Sequence, residues 1–158
     1  MDKPAVLKRR KQRGFNLIEL MIVIVIASTL VTFAIAGYIG YIDRARSGSA
    51  ISDIGRIALE VERFATNNDG NYPASLADVG LAALQDPWGQ GYVYLPVDPV
   101  LGPGPLRKDG NNLPLNTDFD LYSVGPDGAT ALVLTNGAAQ DDIVRANDGG
   151  WVGSGEDY

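Results

Sequence analysis

From Leu20 to Ile42 the chain carries no charged residue, and 23 positions wound as an α-helix extend about 34 Å, enough to cross a bilayer. Beyond Asp43 the pattern changes. Ile51, Ile54, Ala58, Val61 and Ala65 recur at three- and four-residue steps, with Ile57 and Phe64 on the same side, which is the stripe of an amphipathic helix. Asp43, Arg44, Arg46, Asp53, Arg56, Glu60, Glu62 and Arg63 fill much of the remainder and read as a solvated face. Asn67-Asn68-Asp69-Gly70 supplies residues suited to turns and left-handed caps. The pattern therefore predicts one helix from about Phe15 to about Thr66, apolar all round in its first half and amphipathic in its second.

Shorter elements follow. Ser75-Leu76-Ala77-Asp78 has capping-box spacing with Asp in the Glu position, and predicts a short helix burying Leu76, Val79 and Leu84. Asp86-Pro87-Trp88-Gly89 is a turn signal leading into the strand-like run Tyr92 to Leu95. Phe119 to Val124 and Ala131 to Leu134 are two more strand candidates, separated by Gly125-Pro126-Asp127-Gly128, so a three-stranded antiparallel sheet is expected. Between the first two strands, Pro96 to Asn116 is rich in Pro and Gly and reads as a surface loop without an assigned role. The class is α+β, a long N-terminal helix packed on a small antiparallel sheet with long loops.

Charge orients the front end. Lys3, Lys8, Arg9, Arg10, Lys11 and Arg13 precede the apolar run, and such clusters stay cytoplasmic, so the C-terminal portion is expected across the membrane. A secretory signal peptide would share the basic start and the small-residue triplet Ala34-Ile35-Ala36. The run exceeds the usual signal core of roughly 7 to 15 residues, however, and Glu19 stands at its front. An isolated charge there is costly in hydrocarbon and needs a reason. A plain single-pass anchor with Glu19 at the headgroup boundary satisfies the physics equally well.

Arg13-Gly14-Phe15-Asn16-Leu17-Ile18-Glu19-Leu20 resembles the class III signal of type IV pilins and type II secretion pseudopilins. The resemblance implies cleavage by a prepilin peptidase after Gly14, methylation of the new amine on Phe15, and retention of Glu19 in the mature helix. The freed amine of one subunit and the Glu19 carboxylate of another would then pair inside a helical bundle, turning a buried charge into an attraction between subunits. Asn16 stands where the family more often has threonine, and Ala36 where many members have proline. The implied organisation is a leader at 1–14, a membrane and filament-core helix segment at 15–42, and a periplasmic pilin-like domain at 43–158.

Composition narrows the branch. The 158 residues suit one exported domain, and with no cysteine the disulfide-bounded loop of many type IV pilins cannot form. The net charge is −6; six basic and one acidic residue in the first fourteen give +5, leaving −11 on the mature chain. An acidic surface disfavours nucleic acid. Without histidine or cysteine the commonest general base, the thiol nucleophile and the usual zinc ligands are missing, and no enzyme is expected. Gly102-Pro103-Gly104-Pro105 lacks the spacing of a phosphate loop, and Trp88 and Trp151 read as packing anchors.

Asp86-Pro87-Trp88-Gly89 together with Asp120-Leu121-Tyr122-Ser123-Val124-Gly125-Pro126-Asp127-Gly128 is similar to segments of the major pseudopilin family of type II secretion. The resemblance implies a calcium site in the loop beyond the sheet turn, with Asp127, Asp141, Asp142 and the carbonyl of Val124 as the matching ligands, and the oxygen chemistry suits calcium. It also implies a subunit that polymerises into a periplasmic filament driving protein export. Its partners would be other copies of itself, minor pseudopilins, an inner-membrane assembly platform with a cytoplasmic ATPase, and the prepilin peptidase. The alternatives are a major type IV pilin of a surface fibre and a single-pass anchored binding domain.

Overall fold

The computed structural model describes residues 14–97 and 106–158. The basic leader and the Gly102-Pro103-Gly104-Pro105 stretch lie outside the described residues. Helix α1 runs from Leu17 to Asn67, and the strands are β1 (Val93–Pro96), β2 (Phe119–Ser123), β3 (Ile143–Ala146) and β4 (Trp151–Ser154). Two compact units divide the chain, residues 1–41 and 42–158.

In the first unit α1 is apolar and uncovered. Leu17, Ile18, Leu20, Met21, Ile22, Val23, Ile24, Val25 and Ile26 are all exposed, as are Leu30, Val31, Phe33, Ile39 and Tyr41 further along. Its serine and threonine hydroxyls are satisfied within the helix: Ser28 donates to the Ile24 carbonyl (2.6 Å), Thr29 to Val25 (2.9 Å) and Thr32 to Ser28 (2.9 Å). Such back-bonding satisfies these serine and threonine hydroxyls without water, which suits hydrocarbon.

In the second unit α1 turns amphipathic as the spacing predicts. Ala50, Ile54, Ile57, Val61 and Ala65 are buried, while Asp53–Arg56 and Glu60–Arg63 form exposed i,i+3 pairs at 3.3 and 3.4 Å. Such surface pairs add only a few tenths of a kcal/mol each. The helix stops where Asp69 and Gly70 take left-handed φ values of 57° and 84° and the Gly70 N–H closes on the Ala65 carbonyl at 2.9 Å.

The four strands form an antiparallel meander in the order β1-β2-β3-β4. Val93 pairs with Tyr122, Tyr122 with Val144, and Val144 with Gly153, so one row crosses the whole sheet. β2 is buried along its full length, and its side chains alternate between two cores. Phe119 and Leu121, with Ile143 of β3, join Ala50, Ile54, Ile57 and Val61 of α1. Tyr122, with Val144 and Ala146 of β3, joins Leu115, Leu134 and Ala139 from the loops. One face of the sheet thus lies under the helix and the other under the long connections.

Three expectations change. The Ser75 segment forms its capping box, with Asp78 Oδ2 accepting from the Ser75 N–H at 2.9 Å, but it makes a single turn and no helix. Gly80 goes left-handed (φ 73°) and the Leu81 N–H bonds back to the Leu76 carbonyl (2.8 Å), a Schellman-type closure that ends the turn at once. The sheet has four strands instead of three. Ala131 to Leu134 makes only an isolated parallel bridge from Val133 to Lys108, and the strands after β2 are Ile143–Ala146 and Trp151–Ser154, joined through left-handed Asn147, Asp148 and Gly149. The described part of the 96–116 excursion is not a free loop, since Leu106, Arg107, Leu115 and Asn116 are buried.

Candidate functional site

The N-terminal candidates stand in an open setting. Gly14, Phe15 and Asn16 precede the helix as exposed chain without regular structure, and Phe15 is 79% exposed. The first helical hydrogen bond runs from the Leu20 N–H to the Asn16 carbonyl (3.1 Å). Glu19 therefore sits in the first turn of α1, where the free N–H groups and the helix dipole favour a negative charge. Among the described residues nothing comes within 4 Å of where a Cβ on Gly14 would stand, so no contact among them requires glycine there.

The second group of candidates lies in the loop that leaves the end of β2. Gly125 takes φ 68°, and a Cβ there would collide with the Asp141 backbone carbonyl, so close approach and left-handed backbone both demand glycine. Asp141 Oδ2 accepts from the Asp127 N–H at 3.2 Å, and Asp127 Oδ1 accepts from the Ala129 N–H at 2.7 Å. These carboxylates fasten the Gly125–Gly128 turn.

Asp142 points elsewhere. Its Oδ2 accepts from Arg107 Nη2 at 2.5 Å and from the Thr130 hydroxyl at 2.6 Å, and Arg107 Nη1 donates to Thr130 Oγ1 at 2.9 Å. The ion pair is buried, with side chains 3% and 0% exposed. Burial pushes the Asp142 carboxyl up, while Thr130 and the Arg107 guanidinium pull against it. Among the described residues no group of three or more Asp, Glu, His or Cys side chains is gathered to hold a metal ion. Of the side chains that the resemblance assigns to calcium, Asp127 and Asp141 fasten the turn and Asp142 pairs with an arginine.

Residues 9–35 match the model described as "Prokaryotic N-terminal methylation motif". The chain is 35% identical to the type II secretion system core protein G of Pseudomonas aeruginosa over 133 residues, covering 77% of this chain and 89% of that protein. Against the protein of the same name from Klebsiella michiganensis it is 31% identical, with 77% and 89% covered, and against that of Escherichia coli 28%, with 75% and 84% covered. The chain belongs to the type II secretion core protein G family. No solved structure matches it at a significant level.

Members of this pseudopilin family are structural subunits, and the fold is the expected α+β pilin-like one, a long helix on an antiparallel sheet. Within it, sequence reasoning passed over several side chains that hold the second unit together. Asp86 fastens its turn by accepting from the Trp88 and Gln90 N–H groups (3.0 and 2.8 Å) and reaches β2 through the Ser123 hydroxyl (2.5 Å). Arg145, fully buried in β3, pairs with Asp118 at 2.6 Å and lies 3.9 Å over the Phe119 ring. A usable signal existed for both arginines: after Arg63 the chain has three cations, Arg107, Lys108 and Arg145, against thirteen acids. Any carboxylate buried in that stretch has few partners to choose from.

Proposed function

We propose that this chain enters the inner membrane with its basic leader in the cytoplasm and its second unit in the periplasm, is cut after Gly14, and carries a methyl group on the amine of Phe15. The processed subunits then polymerise into a periplasmic filament, together with minor pseudopilins and an inner-membrane assembly platform, and that filament drives export by type II secretion.

The observation that carries this reading is the uncovered apolar helix from Leu17 to Tyr41 with one carboxylate, Glu19, at its front. An exposed apolar surface of that extent has to be covered, first by lipid and then by the same helix of other copies. Inside a bundle of such helices, Glu19 and the methylated amine of Phe15 on a neighbour complete each other's charge. The freedom around Gly14 fits a residue whose identity answers to a peptidase, because no contact among the described residues asks for it.

The deciding measurement is the intact mass of the protein from its native membrane or filament fraction, with sequencing of the N-terminal peptide. A chain starting at N-methyl-Phe15 supports the reading. An unprocessed chain, or one starting near Gly37, overturns it.

A further inference from the structure

We propose that the loop after β2 is held closed by a resident cation of the chain itself, the guanidinium of Arg107, in the role that the family resemblance gives to calcium.

Three observations carry this. First, Arg107 joins the two ends of the loop: its guanidinium bonds Thr130, just past the Gly125–Gly128 turn, and Asp142, at the foot of β3. One planar fork thereby closes the stretch that divalent-metal ligands would otherwise gather. Second, the arginine is placed by backbone on both sides. The Arg107 N–H donates to Asp120 Oδ2, the Leu115 N–H donates to the Arg107 carbonyl (2.9 Å), and Lys108 exchanges bonds with Leu132 and Leu134 at 2.8 and 3.0 Å. Its Cζ also stacks 4.3 Å from the centre of the Tyr122 ring. Third, one of the implied calcium ligands is already neutralised. Asp142 is fully buried against a positive charge, and adding a divalent cation beside Arg107 would set two cations together in a low-dielectric site.

One atom speaks for the metal, since Asp142 Oδ1 is buried with no partner among the described residues. The test therefore measures calcium directly. The full-length protein in detergent micelles is melted while following the fluorescence of Trp88 and Trp151, both in the second unit, in 1 mM calcium and again in excess EGTA. The expected result is the same Tm within about 1 °C in both. Arg107→Met should lower the Tm by about 10 °C or more by stranding Asp142, and adding Asp142→Asn to it should recover a large part of that loss. A wild-type Tm that rises by several degrees in calcium overturns the proposal, and so does a double variant no more stable than Arg107→Met. The wild-type comparison decides even where a variant fails to fold.

Discussion

Glu19 makes no tertiary contact among the described residues, and in the proposed filament it is the residue on which assembly turns. It is exposed and sits where the helix dipole already tolerates it, so Glu19→Ala should insert and be processed normally yet give a small fraction of the wild-type filament yield. Quantifying sheared or cross-linked filaments against total membrane subunit checks this, and wild-type yield would remove the charge-pairing account. Asp148 is a different case, a carboxylate with a purely local task. It accepts from the Thr117 N–H (2.6 Å) and hydroxyl (2.8 Å), tying the turn between β3 and β4 to the start of β2. Burial pushes its carboxyl up, but the Thr117 bonds and the Arg145 charge outweigh that and hold it below the usual carboxylate range. A depressed acid contributes stability that is present above the ordinary carboxylate pKa and is lost as pH falls through the folded value. Buried Asp120 works in the opposite sense, since burial raises it. Comparing wild type with Asp148→Asn isolates the first effect: the variant's Tm should fall less steeply than wild type's below about pH 4, while Asn keeps the left-handed backbone at φ 51° acceptable.

At the scale of elements, β2 is the keystone, buried on both faces between the two cores. Phe119 is fully buried and stacks with Tyr72 and Tyr94 at 5.3 and 5.6 Å, besides carrying Arg145 on its face. Phe119→Ala should cost about 3 to 5 kcal/mol, read as a shift in the denaturant midpoint with little change in slope. How far such elements can be read from sequence depends on who their partners are. The long helix was legible because periodicity and caps are local, and so was β2, whose run of apolar and aromatic residues is bounded by turn signals. β3 escaped because Arg145 looks like a surface residue until Asp118 is seen beside it, and because the hairpin signal Asn147-Asp148-Gly149-Gly150 was passed over. Ala131 to Leu134 misled in the other direction. Its apolar run serves the core through Leu134, but its only ladder partner is Lys108, and pairing one residue wide does not make a strand. The role of Arg107 was invisible for the same reason: nothing within ten residues of it in sequence says that Thr130 and Asp142 are its company.

On the scale of the whole molecule, the two units answer to different solvents. Every member of the two cores falls between Ala50 and Ile143 or Ala146, so the unit at 42–158 contains its own hydrophobic interior and its own buried ion pairs. The unit at 1–41 offers no such interior among its described residues, only the uncovered apolar length of α1. A fragment beginning at Ile42 should therefore be soluble without detergent, sediment as a monomer, and melt in one cooperative transition. The full chain should require detergent or lipid, and in its absence should associate through the helix because that surface far exceeds what a soluble monomer leaves bare. Sedimentation velocity and thermal unfolding of the two proteins side by side measure this. A fragment that is soluble but melts without cooperativity would mean that α1 before Ile42 contributes to the fold of the second unit, and would move the boundary between what the membrane stabilises and what the sheet does.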